Sequence, residues 1–274
     1  MTDLFDPAPP RLDGIHVGIG GWTFAPWRGG MFYPEGLVQR RELEYASRQL
    51  TAIEINGTYY GTQKAETYAR WRDETPEGFV FTAKAPKRIT ASRKLSSTGP
   101  QVDDFIGGIA NLGDRLAALL WQFAEGYRMD ADEFAAFLQL LPARAGRHAL
   151  RHAVEIRHPG FVDEAVLAQL RAHNVALVFT DSQEHPSHAD LTADFCYARL
   201  MRSRDIATGY AAPELAKWAD RLRRWRAGED LAELPHVGPV QANGTKREVF
   251  TFFISSAKHR NPAAAMKLQE LLAG

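Results

Sequence analysis

Six short apolar runs carry polar residues in suggestive places. Glu54 pairs with Asn56, Thr82 with Lys84, Glu155 with Arg157, and Tyr197 with Arg199, each two positions apart, while Gln122 and Asp181 end two further runs. Residues two apart on an extended strand share a face, so each pair projects together from an otherwise apolar segment. Glu54 and Glu155 are the acid/base candidates, because a carboxylate in a partly desolvated position can be tuned toward neutral pH. Lys84 is the third catalytic candidate. Lys84, Arg157 and Arg199 could also hold negative charge in a ground or transition state. The plainer reading is a plug of mutually paired charges. Burying so many ionisable groups costs several kcal/mol each unless they are paired, and such networks mark sites more often than they serve stability.

Basic loops add a second signal. Lys84, Lys87, Arg88, Arg93 and Lys94 lie in a stretch free of acids; Arg199, Arg202 and Arg204 follow one run, and Ser255, Ser256, Lys258, His259 and Arg260 follow another. Asn261–Pro262 then opens a helix, whose free N–H groups and dipole favour an anion. Trp22, Phe24, Trp27, Phe32, Tyr33, Tyr59 and Tyr60 form an aromatic-rich rim, readable as a satellite core or as a stacking surface for a sugar or base. Gly18, Gly20 and Gly21 lack the third glycine of a dinucleotide fingerprint. His158, His185 and His188 read as solvated loop histidines, with a divalent metal as the lesser alternative and no other cofactor expected. A single cysteine, Cys196, leaves neither a disulfide framework nor a cysteine zinc site.

These residues need elements to position them. Eight β-rich runs occur, at His16–Gly20, Ala52–Asn56, Phe79–Lys84, Ala117–Gln122, Ala153–Arg157, Ala176–Asp181, Phe195–Met201 and Val249–Ser255. Most are followed by helical periodicity, at Leu37–Leu50, Glu66–Arg72, Phe134–Leu141, Asp163–His173, Pro213–Arg226 and Ala263–Leu272. Eight repeats in 274 residues predict an α/β fold: a single closed (β/α)8 TIM-type barrel spanning 15–274, behind a loose N-terminal arm at 1–14. One connection is irregular. Between Asp181 and Phe195 lie thirteen residues with no helical period, so strands six and seven are joined by a loop. Arg226–Thr245 reads as a long surface connection. Barrel active sites sit at the carboxyl ends of strands, where all the polar pairs above fall.

The runs VGIGGWTFAPWRGGMFYP (Val17–Pro34), AIEINGTYY (Ala52–Tyr60), TPEGFVFTAKAPKRIT (Thr75–Thr90) and AVEIRHPGF (Ala153–Phe161) resemble the YecE-like family, domain of unknown function 72. The similarity runs from about Ile15 to Leu272. It implies a TIM-type barrel and supplies no reaction. Three segments depart from the family pattern: ISSAKHRNP after Phe253, FAEGYR after the fourth strand, and RLMRSRD at the seventh. A specialised substrate preference would sit in those loops.

Composition sets the frame for function. Lys+Arg and Asp+Glu both number 33, so no global basic excess drives binding to nucleic acid or anionic membrane. The longest apolar run, Leu116–Trp121, is far too short to span a bilayer. A soluble, cytoplasmic protein is expected. The first functional reading is an enzyme, of hydrolase or lyase type, acting on an anionic, phosphate-bearing or polyhydroxylated small molecule. Trp22, Asn56, Tyr59, Gln122, Arg157, Asp181, Arg199, Arg202, Ser255 and Lys258 are the expected substrate-binding residues. The alternative is a nucleic-acid-binding protein, or a metal-dependent phosphodiesterase, using the basic loops and aromatic rim. Oligomeric state is left open.

Overall fold

The computed structural model describes residues 11–241 and 244–274. Eight parallel strands form its centre: β1 (Ile15–Gly20), β2 (Ala52–Ile55), β3 (Val80–Lys84), β4 (Leu116–Phe123), β5 (His152–Ile156), β6, β7 (Phe195–Leu200) and β8 (Glu248–Phe253). Strand β6 comes in two pieces, Val175–Leu177 and Phe179–Thr180. The first piece pairs with β5 and the second with β7, so one broken strand stands at both ends of the sheet order and closes the ring. At the break the Val178 N–H still donates to the Val154 carbonyl, 2.9 Å away.

The period of two along each strand sorts side chains into two buried layers. Ala118, Leu120, Ala153, Tyr197, Phe250 and Phe252 fill the barrel. Ile53, Phe81, Trp121, Val154, Leu200 and Phe253 face outward against the helices. Glu54, Thr82, Lys84, Gln122, Glu155, Arg157 and Arg199 all have the inward parity. Gly18 is required by this geometry: a Cβ there would stand 1.9 Å from the Ala52 carbonyl oxygen, so only glycine lets β1 approach β2.

Among the described residues eight α-helices surround the sheet: α1 (Glu42–Gln49), α2 (Ala65–Glu74), α3 (Lys87–Thr90), α4 (Gly99–Ile109), α5 (Ala131–Gln139), α6 (Glu164–Ala172), α7 (Ala212–Ala227) and α8 (Asn261–Ala273). Asp130 and Asp163 cap α5 and α6, each accepting the backbone N–H three residues on. Helix α7 starts with a proline in its first turn and buries Leu215, Trp218, Leu222 and Trp225 on one face. It ends where Gly228 takes a left-handed φ of 92°.

Three departures from the sequence reading have local causes. Helix α4 lies between strands three and four, where the sequence reading places no helix. It buries Val102, Phe105, Ile106 and Ile109 at helical spacing, behind a Gly-Pro start and an internal Gly107–Gly108 that mask its propensity. The 226–245 connection is more than surface, since Leu231 and Asp230 are buried and Asp230 accepts bonds from His236 and the Gln241 N–H. Of the expected arm, residues 1–10 lie outside the described residues. Within 11–14, Leu12 is buried and the Arg226 guanidinium donates to the Asp13 carbonyl, while the Arg11 and Asp13 side chains are exposed. The β6–β7 connection has no helix, as its composition predicts. Among the described residues no helix is long and apolar enough to cross a membrane.

Candidate active site

The inward polar residues meet at the carboxyl ends of the strands, and Arg199 of β7 is their centre. It is 2% exposed, and its guanidinium bridges two carboxylates. Nε and Nη2 donate to Glu54, at 3.1 and 2.9 Å, while Nη1 donates to Glu155 at 2.5 Å. Every carboxylate oxygen has a further donor or is already held by Arg199. Glu54 accepts from Asn56 Nδ2 at 2.9 Å and from the Tyr197 hydroxyl at 2.7 Å, and that hydroxyl in turn lies 2.8 Å from Thr82 Oγ1. Glu155 accepts from Gln122 Nε2 at 2.7 Å and from Arg157 Nε at 2.5 Å.

Register explains this convergence. Glu54 stands beside Thr82, Gln122 beside Glu155, and Arg199 beside Thr180 in the ladders, so neighbouring strands deliver polar side chains at nearly one level. Gly20 contributes by lacking a side chain. A Cβ there would lie 2.9 Å from the Asn56 amide nitrogen, so glycine leaves that amide free to reach Glu54. Burial alone would raise the Glu155 pKa, but Arg199 and Arg157 beside it hold the carboxyl down to about 2. Arg199 is pushed the other way: burial disfavours its charge, and Glu155 and Glu54 restore it and raise its pKa.

Lys84 is the group left over. Its ammonium lies 3.9 Å from the centroid of the Tyr59 ring and makes no hydrogen bond or ion pair with any described residue. Burial, with the Arg199 charge adding to it, lowers its pKa to about 8 against the pull of Glu54 and Glu155. The β3 end that carries it is pinned, because the Thr58 hydroxyl donates to the Lys84 carbonyl at 2.6 Å.

Beside this floor opens a cleft of about 460 Å³, lined by Arg157, Arg202, Arg204, His185, Ser255 and Ser256 among others. Arg204 is paired with Glu214, whereas the Arg202 side chain is exposed and forms no ion pair among the described residues. Ser255 and Ser256 both have left-handed backbones, with φ of 58° and 48°, a strained choice for non-glycine residues. The Ser256 hydroxyl donates to the Met201 carbonyl, and the Ala257 N–H donates to Ser203, which latches the β8 loop to the β7 loop.

Thus Glu54, Asn56, Lys84, Gln122, Glu155, Arg157 and Arg199 come together, Tyr59 supports Lys84, and Arg202 and Ser255 line the adjoining cleft. Three expected residues go elsewhere. Trp22 packs edge-on against Trp71 of α2, with ring centroids 4.8 Å apart, and its neighbour Phe81 faces the helix layer, so it does not fold over the mouth. Asp181 has the outward parity and accepts bonds from the Met201 N–H and the Tyr210 hydroxyl. Its carboxyl, raised to about 6 by burial, faces an adjoining cavity against Trp218 of α7, which shares Ser182, Arg202 and Glu214 with the cleft. Lys258 sets its ammonium over the Phe24 and Trp27 rings, 4.6 and 5.5 Å from their centroids, away from the cleft. The aromatic rim is therefore mainly a satellite core in which Trp27, Phe32, Tyr33 and Tyr45 pack together, with Tyr60 left exposed. His158, His185 and His188 lie on loops, as expected, but are half-buried rather than solvated. Among the described residues no group of three or more His, Cys, Asp and Glu side chains is placed to hold a metal ion. Tyr197, Thr82 and Ser256, which the sequence places near the site but not among its catalytic or substrate-binding candidates, also belong to it. Alternation alone already put the first two on the inward face.

Comparison with known proteins agrees with this architecture. The family profile described as "Protein of unknown function DUF72" matches residues 16–274. UPF0759 protein YecE of Escherichia coli K12 is 24% identical over 239 residues, which is 77% of this chain and 82% of that protein. UPF0759 protein YunF of Bacillus subtilis is 26% identical over 115 residues, covering 40% of this chain and 39% of that one. Among solved structures, a DUF72 family protein from Thermotoga maritima superposes with a TM-score of 0.74 at 21% identity, over 95% of this chain and 99% of that one. Another, from Enterococcus faecalis, gives a TM-score of 0.65 at 17% identity, over 94% and 97%. These likenesses carry the fold.

Proposed function

The chain belongs to the DUF72 family, and from the chemistry of its barrel mouth we propose an enzyme that acts on a small anionic or polyhydroxylated molecule, with Lys84 as the proton-transferring group. The observation that carries this reading is the unpaired Lys84 amine, held beside two carboxylates that are both occupied. Glu54 and Glu155 are too well bonded to serve as free acids. Protonating either would forfeit charge-assisted bonds to Arg199 inside a buried network. Their role is to hold Arg199, which occupies the space between the carboxylates where a glycosidic bond would need to lie in a two-carboxylate hydrolase. Lys84, titrating near neutrality, can take a proton from a substrate carbon or hydroxyl and return it. The floor holds three cations against two carboxylates when Lys84 is protonated, which favours an anionic ligand.

The test is a panel of sugar phosphates, hydroxy acids and neutral sugars screened by thermal shift and then by turnover. A member of the anionic set should raise the Tm of the wild type by several degrees and be converted by it. The Lys84→Met variant should bind that compound and fail to convert it. Turnover unchanged in Lys84→Met would remove Lys84 from the chemistry and overturn the proposal.

A further inference from the structure

The amine and the adjoining cleft together suggest a substrate class, in an argument that rests on the reading of the mouth as an active site. Arg157 joins the two features. Its Nε is held by Glu155 in the floor, its side chain lines the cleft, and its charge acts on Lys84. The outer edge of its guanidinium is not engaged by any described residue. Arg202 adds an unpaired cation, and the Ser255 and Ser256 N–H groups donate to no described residue. Successive free N–H groups on a turn make a concavity suited to an anion, and barrels commonly bind phosphate with the loops after strands seven and eight. A cleft of about 460 Å³ suits a small phosphorylated molecule.

We propose that this protein takes a small aldehyde or ketone carrying a phosphate, with the phosphate held by Arg202, the outer edge of Arg157 and the Ser255–Ser256 backbone, and the carbonyl carbon captured by Lys84 as an imine. The neutral amine adds to the carbonyl carbon. The C–N bond forms as the carbonyl π pair moves onto oxygen, and one proton passes from nitrogen to that oxygen to give a carbinolamine. A second proton, taken from solvent, lets the hydroxyl leave as water while the nitrogen lone pair closes the C=N bond, and the iminium so formed returns a proton from nitrogen to solvent to give the imine. One water is lost and nothing is oxidised or reduced. A lowered amine pKa supplies the neutral nucleophile near physiological pH. Tyr59 shields one side of the amine without consuming its lone pair.

Pyridoxal 5′-phosphate, a phosphate-bearing aldehyde, and pyridoxal, which lacks the phosphate, are suitable probes. Each is incubated with the full chain, trapped with borohydride and located by peptide mass spectrometry. Labelling by the phosphorylated probe should concentrate on Lys84, vanish from that site in Lys84→Met, and be suppressed by inorganic phosphate. At subsaturating reagent it should fall roughly tenfold for pyridoxal and for the Arg202→Ala variant, the loss expected for one bond to a charged group. Arg202 is exposed and unpaired, so this variant is expected to fold. Equal labelling by both aldehydes, unaffected by Arg202→Ala, would overturn the phosphate cleft. If Lys84 labels no faster than surface lysines while phosphate still raises the Tm of wild type and Lys84→Met but not Arg202→Ala, the imine is overturned and the mouth remains an anion site. Absence of both labelling and any phosphate effect would overturn this inference and weigh equally against the anionic reading of the mouth.

Discussion

Lys84 shows how a single residue can be placed against the interest of stability. Its folded pKa of about 8 lies below the ordinary 10.5, so folding disfavours its charged form. Below pH 8 both states keep the proton and the destabilisation is constant. Between pH 8 and 10.5 the unfolded chain still binds a proton that the folded chain has released, so stability rises with pH across that window. Lys84→Met is therefore expected to stabilise the protein at pH 7 by about 1–3 kcal/mol, the upper figure reduced because water reaches a half-buried amine. This advantage should shrink at pH 10. Urea unfolding of both proteins at the two pH values measures it, and an equal advantage at both would mean that the amine is not desolvated. Arg199 is legible from alternation as an inward cation. That it neutralises both carboxylate candidates was not, because the partners lie 145 and 44 residues away in the chain.

At the scale of elements, the approach of β1 to β2 depends on the missing side chain at position 18. Gly18→Ala would drive a Cβ into the Ala52 carbonyl oxygen, and both groups belong to paired backbone that cannot yield without breaking the ladder. The expected cost is about 3 kcal/mol or more, read as a lowered denaturation midpoint or loss of soluble protein. Gly20→Ala makes a useful contrast. Its new methyl would meet the ends of the Asn56 and Ile254 side chains, which can swing aside, so that variant should fold while loosening Asn56 from Glu54. A Gly18→Ala protein with an unchanged midpoint would show that the strand spacing is softer than the geometry implies. The two glycines stood in the sequence as a weak nucleotide motif, and their separate uses emerge only from what lies opposite each of them.

For the whole molecule, the balance of charge bears on the nucleic-acid alternative. The chain has 33 basic and 33 acidic residues and so no net excess of positive charge, and of the basic loops Arg88, Arg204 and Arg260 are each paired to an acid, while Lys87, Arg93, Lys94 and Arg202 form no ion pair among the described residues. Counterion release then contributes little, and binding to a DNA duplex at physiological salt is expected to be weaker than about 10⁻⁴ M. Fluorescence anisotropy across a salt series tests this. A tight complex with a steep salt slope would move the assignment to nucleic-acid recognition.

The sequence by itself determined the barrel, because eight β-rich runs with the right spacing leave few other ways to bury their apolar faces. It also determined which residues point inward, since the period of two is a property of each strand alone. Tertiary structure decided the rest. Closure through a broken sixth strand, the bridging of Glu54 and Glu155 by Arg199, and the isolation of Lys84 all depend on the relative levels of strands distant in sequence. Trp22, Asp181 and Lys258 show the same limit from the other side. Trp22 and Lys258 sit on loops, where no periodicity fixes the side chain's direction, and turn toward aromatic partners that packing brings to them, while Asp181, just past a strand end, follows the outward parity of β6 to its hydrogen-bonding partners.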